Sequence, residues 1–424
     1  MISSPVSENA PIADASATPP ELRSQNSENR RLRLAFVIDV IQDWHAGGTE
    51  QQIVQILNRI DPRHFEPVVF VLQPSEGLQK KAVNCPVILI GPAGDSRRSR
   101  LRTLLDLTRA IRAFRPHILQ TFFIDGTFYG TVAAKLARVP VVIQSRRNAG
   151  YWQKPYHTLA LRALNHVVDA WQCNSRHVAD ALMRREHVPP SKVAVLPNSI
   201  DLAHFSAPDS QQRVHSRQKL GLSPSAPVFA AVANLRPVKR LATLIEAAAI
   251  VHATLPEARF LILGEGNDRS ALATQIEALH LEGVVRLEGA QPDVRPWLRA
   301  ADVGVLTSES ESSSNAVLEY MAMGLPTVVS DIPANRELVE GLFFAASDAQ
   351  QLADRLLWMW HHPEVRQAMA ERNRRAAGAF AAAAIAQQAQ RYYWELACAN
   401  IPGFRDIIPC PAFTRQLGSS STAS

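Results

Sequence analysis

The stretch SESESSSNAVLEYMAMGLPTVVSD, residues 308–331, decides how this chain is read. An apolar run at 303–307 precedes it, with the length and character of a strand buried on both faces. A polar loop follows, then a helix. Ser313, Ser314 and Asn315 are all good cap residues, so the helix is expected to start near Ser313. Strand, polar loop and helix in this order aim backbone N–H groups at whatever lies beyond the strand's carboxyl end, and a phosphate suits that position. Glu319 falls about one turn into the helix, by the ~3.6-residue period. Glu311 stands eight residues before it. Carboxylates placed this way accept hydrogen bonds from hydroxyls. Phosphate at amides and hydroxyls at carboxylates is the pattern of a nucleotide sugar.

Working outward, strand-like runs at 228–233, 260–263, 284–287, 303–307 and 327–330 alternate with helical patterns, which implies a parallel sheet covered on both faces. The loop after the first of these, ANLRPVKR, carries Arg236, Lys239 and Arg240 just before an amphipathic helix. Cations beside a strand's carboxyl end neutralise a diphosphate leaving group; a solvated basic loop is the plain alternative. Gly264 and Gly266 follow the next strand, where a tight turn is the simplest role. Helices are expected at 349–360 and 363–397.

The first half repeats the scheme. Strands are expected at 32–40, 66–72, 87–90, 118–121, 139–143 and 170–173, and helices at 101–114 and 158–168. Gly47 and Gly48 make a glycine turn before a helix, which lets backbone amides approach a ligand closely. The two halves share architecture with no fixed-period repeat.

The Glu311–Glu319 spacing, followed by Met321-Ala322-Met323-Gly324-Leu325-Pro326, resembles the signature of the retaining glycosyltransferases of family 4, the glycosyl transferases group 1. The resemblance implies an α/β chain of GT-B architecture: two Rossmann-like domains with parallel sheets facing a central cleft. It implies an N-terminal acceptor-binding domain at 31–205, a linker at 206–227 and a nucleotide-sugar domain at 228–375. A helix at 376–400 would return to the first domain, between a disordered extension at 1–30 and a tail at 401–424. Glu319 would hold the ribose, Glu311 the donor sugar, and Gly47 and Gly48 would face donor and acceptor. Lys239 matches the family's diphosphate lysine. Asn234 stands where the family's arginine usually is, and Arg236 would substitute for it. Gly264 and Gly266 would lie near the base, with Ser314 and Asn315 at the phosphate. Ser312 and Ser313 replace the usual Gly-Phe.

Arg146 occupies the place where the family often has a histidine. Arginine stays protonated and cannot act as a base, but it binds phosphate or carboxylate in bidentate fashion. Arg146 and Arg147 are therefore expected to contact the donor phosphate or the acceptor, with Asp125 an acceptor-side carboxylate. A buried arginine tied to the fold is an equal reading of Arg146.

The net charge of +6 admits anionic partners. No nucleic-acid-binding pattern is apparent, so nucleic acid is not expected. Four scattered cysteines fit a reducing cytoplasm and inert packing. No apolar run reaches the ~18 residues of a membrane span. Arginines at 97, 98, 100, 102, 109, 112 and 115 alternate with leucines at helical spacing, suiting either a solvated helix face or the inner membrane surface. The chain contains no Asp-x-Asp, so metal-independent chemistry without a cofactor is expected. The function expected is transfer of a hexose or N-acetylhexosamine from a nucleoside diphosphate to a glycan or lipid-linked acceptor. A sugar-nucleotide epimerase on the same fold, or a non-catalytic sugar-nucleotide-binding subunit, is the alternative.

Overall fold

The computed structural model describes residues 13–14, 31–42, 48–79, 82–90, 100–150 and 155–408. Gly47, Arg97, Arg98, most of the 1–30 extension and the tail beyond 408 lie outside the described residues. The chain divides into two compact units, one made of residues 1–174, 178–196 and 385–424, the other of 175–177 and 197–384.

The sheet of the first unit contains β1 (Ala13–Asp14), β2 (Leu32–Ile38), β3 (Phe65–Val71), β4 (Val87–Leu89), β5 (Ile118–Thr121), β6 (Val141–Arg146), β7 (Ala170–Cys173) and β8 (Val193–Val195). Their order is β1-β4-β3-β2-β5-β6-β7-β8, all parallel. β2 shows why. Leu32, Leu34, Phe36 and Ile38 join one buried cluster, while Ala35 and Val37 join another on the opposite face. A strand buried on both faces cannot alternate polar with apolar residues, so it reads as a continuous apolar run.

The sheet of the second unit contains β9 (Val228–Val232), β10 (Arg259–Leu263), β11 (Val285–Gly289), β12 (Val303–Leu306), β13 (Thr327–Ser330) and β14 (Leu342–Phe344). Its order is β11-β10-β9-β12-β13-β14, again all parallel. In each sheet the strand order reverses beside one central strand, at β2/β5 and at β9/β12. The carboxyl ends at such a reversal form the crevice where α/β sheets bind ligands.

Several expectations shift. The strand expected at 139–143 starts at Val141, because Pro140 has no N–H for the ladder. β8 and β14, three residues each, are too short to show a pattern. The segment read as a linker holds the helix Ser210–Lys219, started by an Asp209–Gln212 capping box, and lies within the second unit. Buried Arg217 ties it there through Asp302 and the carbonyls of Ser223, Pro224, Ala226 and Ala300. The helix expected at 363–397 is two helices, Pro363–Ala377 and Ala382–Asn400. It breaks because Ile200 bonds the backbone of Phe380 and Ala382.

The second of these helices supplies Ile385, Ala389, Tyr393 and Ala397 to the core under β2. The Tyr393 hydroxyl donates to Gln120 Oε1 at 2.6 Å. Gln120 Nε2 in turn donates to Ser145 Oγ at 2.6 Å and Gln172 Oε1 at 2.9 Å. This buried chain crosses β5, β6 and β7, so Tyr393 serves as both apolar anchor and hydrogen-bond donor. Tyr393→Phe would leave Gln120 Oε1 unpaired and is expected to cost about 1–3 kcal/mol. A urea midpoint equal to that of the parent protein would contradict this.

Candidate functional site

At the β9/β12 reversal two loops are stitched together. The Glu309 N–H donates to the Val238 carbonyl at 3.0 Å, and the Thr307 hydroxyl to the Lys239 carbonyl at 2.6 Å. Half-buried Lys239 donates through Nζ to Glu311 Oε1, which also accepts from the Ser308 hydroxyl at 2.7 Å. Lys239 and Glu311, both singled out from the sequence, therefore meet. Arg236 and Asn234 are exposed on the same loop, where the Arg236 N–H donates to the Asn234 carbonyl at 2.9 Å.

Gly264 and Gly266 explain how that loop is held. The Ala233 N–H donates to the Leu263 carbonyl and the Leu235 N–H to the Glu265 carbonyl, each at 2.9 Å. A Cβ at Gly264 would lie 2.0 Å from the Ala233 oxygen, and one at Gly266 would lie 2.2 Å from the Leu235 oxygen. Gly264 also has φ +138°. Only glycine allows the two backbones to run this close.

The helix Asn315–Ala322 starts one residue past Ser314, whose side chain accepts from the Val317 N–H. The start is thus two residues later than expected, and Ser314 is the cap among the three candidates. Asn315 Oδ1 accepts from Asn198 Nδ2 at 2.7 Å, and the same amide donates to the Ser313 carbonyl at 2.9 Å. Glu319 is only 7% exposed, and its Oε2 has no hydrogen-bond partner. Burial pushes its carboxyl up to about 8.

In the first unit, the β2/β5 reversal brings Asp39 to the start of the helix Ile124–Ala137. Its carboxylate accepts from the Asp125 N–H at 3.0 Å and from the Gly126 N–H. Burial raises Asp39 to about 7 against those two bonds. Sequence reading missed Asp39; its one signal is an acid directly after a buried strand. Asp125 is half-buried in the helix's first turn. Arg146 is buried, donating to Glu186 Oε2 at 3.0 Å and Gln144 Oε1 at 2.8 Å, so its charge is balanced within the first unit. Arg147 is half-buried, and burial lowers its guanidinium to about 10. Gly48 opens the helix Gly48–Leu57.

The profile of the family described as Glycosyl transferases group 1 matches residues 212–376, and that of Glycosyltransferase Family 4 matches residues 46–204. The UDP-Gal:alpha-D-GlcNAc-diphosphoundecaprenol alpha-1,3-galactosyltransferase of Escherichia coli is 28% identical over 252 residues. That alignment covers 57% of this chain and 65% of that protein, just under two thirds of its length. A D-inositol 3-phosphate glycosyltransferase of Thermobispora bispora is 26% identical over 396 residues, 82% of this chain and 90% of that protein. Among solved structures, Anabaena HepE in complex with UDP and glucose matches with a TM-score of 0.75 at 19% identity. The match covers 85% of this chain and 99% of that one, and the shared fold is GT-B.

The Glu319 carboxyl has a measurable consequence. Folded, it keeps its proton up to about pH 8, whereas the unfolded chain releases it near 4.5. The folded state binds more protons across that window, so stability is full below it and falls as pH rises through it. Glu319→Gln is expected to flatten this fall and to melt higher than the parent above pH 8. Identical pH slopes in the two proteins would remove the buried acid from the account.

Proposed function

The chain belongs to the glycosyl transferases group 1 family, and from that membership we propose that it moves a hexose or N-acetylhexosamine, with retention, from a nucleoside diphosphate to a glycan or lipid-linked acceptor. The observation that carries this reading is the unpartnered, buried carboxyl oxygen of Glu319, one turn beyond the Ser314 cap. A buried acid without a partner is costly to the free protein, and a ribose hydroxyl is a suitable donor to it. The N–H groups at the helix start suit a phosphate.

Lys239 and Arg236 supply positive charge at the diphosphate, so no metal ion is needed to stabilise the leaving group. Lys239 is already held by Glu311, and an arriving diphosphate competes for the same ammonium. Glu311 is then released toward the sugar. In the transfer the anomeric carbon–oxygen bond to the diphosphate breaks and a bond to the acceptor oxygen forms on the same face. The acceptor's proton leaves with the departing diphosphate. HepE was solved with UDP, and the Escherichia coli relative is named for a UDP-galactose donor and a diphosphoundecaprenol-linked acceptor. Uridine nucleotides and lipid-linked glycans are therefore the first substrates to try.

The test is release of nucleoside diphosphate from UDP-, GDP- and ADP-sugars with EDTA present, with and without crude membrane acceptors. One donor is expected to turn over, and Glu319→Ala to lower kcat/KM by about tenfold or more, as loss of a buried hydrogen bond implies. Tight binding of a donor with no turnover under any condition would overturn the transferase reading in favour of a binding subunit.

A further inference from the structure

We propose that the outer face of the helix Arg100–Phe114 and its neighbour Ile124–Ala137 is a docking surface for an anionic lipid bilayer. The proposal goes beyond glycosyl transfer and does not depend on it. The inner face of Arg100–Phe114 is ordinary: Leu107, Ala110, Ile111 and Phe114 are buried against the sheet. The outer face is not. Leu101 is 64% exposed and Leu105 44%, with Leu136 on the neighbouring helix at 46%. At ~100° per residue, Leu101, Leu105, Arg109 and Arg112 form one stripe, with Arg102 beside it. Arg112 Nη2 donates to the Leu136 carbonyl at 2.8 Å, which joins the two helices at this face.

Charge identifies the occupant. Residues 100–138 hold seven Arg and Lys against two Asp. Asp106 is paired with Arg109 at 2.7 Å, and Asp125 lies at the far end of its helix, in the first turn. A second copy of the chain would set like charges face to face. A nucleic-acid backbone would satisfy the cations but leave three leucines in water. An anionic bilayer accepts both, apolar side chains entering the acyl boundary while guanidinium groups remain among phosphates. Each cation near such a surface contributes about a fivefold gain in affinity. Among the described residues, no helix is long and apolar enough to cross a membrane, so the contact proposed is one of surface attachment.

The full chain would be sedimented with vesicles of phosphatidylcholine alone or mixed with phosphatidylglycerol, at low and high salt. Binding is expected on the anionic vesicles only, and weaker at high salt. Arg102→Glu with Arg112→Glu should lower it by about tenfold or more. Leu101→Ser with Leu105→Ser should lower it while leaving its salt dependence. Arg372→Glu with Arg375→Glu, an equal charge change on the second unit, should leave it intact. Melting temperatures show whether each variant is folded, and donor hydrolysis in solution should be unchanged, so failure here is separable from failure of the transferase reading. Absence of sedimentation by the parent chain, equal binding to neutral vesicles, or full binding by both double variants would overturn the proposal.

Discussion

Two hydrogen bonds hold the second unit's site together: Glu309 N–H to the Val238 carbonyl, and the Thr307 hydroxyl to the Lys239 carbonyl. They join loops that leave neighbouring parallel strands, where the sheet ladder itself has ended. Without them Lys239 and Glu311 would be two surface side chains separated by 72 residues of sequence, each free to rotate. With them the ammonium and carboxylate meet at a strand reversal. The glycine pair at 264 and 266 extends the same logic by one strand, since its missing side chains let β10's loop lie directly on β9's. The site is thus backbone-built first, and its charges are placed afterwards.

The charges fall into two kinds. Arg146–Glu186 and Arg217–Asp302 are buried ion pairs. Such pairs contribute little net stability over apolar replacements, yet losing one partner costs roughly 3–5 kcal/mol, so they fix conformation. Glu319 is the opposite case. It is buried without a cation, and its response is to hold a proton. A fold that needed only stability would not keep an acid there, which is why Glu319 bears more of the functional argument than the more conspicuous ion pairs.

The apolar runs were legible because a doubly covered parallel strand has no other way to be written, and this placed most strands within two residues. Details fixed by partners distant in sequence were not. Three cap candidates in a row, Ser313 to Asn315, cannot be ranked by residue type; Asn198, over a hundred residues upstream, engages the Asn315 side chain and the Ser313 carbonyl, and Ser314 is the cap. Arg146 pairs with Glu186, forty residues on, a partner that its residue type does not indicate. The glycine pair reads as a turn because nothing in its own sequence says that a Cβ there would come within about 2 Å of β9's loop.

The loop carrying Glu311 departs from the family in having Ser312 and Ser313 for Gly-Phe, yet its anchors lie outside it. The Ser330 hydroxyl, at the end of β13, donates to the Ser308 carbonyl at 2.5 Å. Wholly buried Asn335 holds Ser330 through bonds of 2.9 and 3.2 Å to its carbonyl and hydroxyl. Asn198 fixes the other end at the Ser313 carbonyl. Held from β13 on one side and from the chain entering the second unit on the other, the loop can change its middle residues without moving its ends. The position of Glu311 against Lys239 depends on Ser330, Asn335 and Asn198 at the loop's ends. None of these three carries a charge, and each acts as a donor, Ser330 through its hydroxyl and the two asparagines through their amides, to partners that the sequence does not reveal.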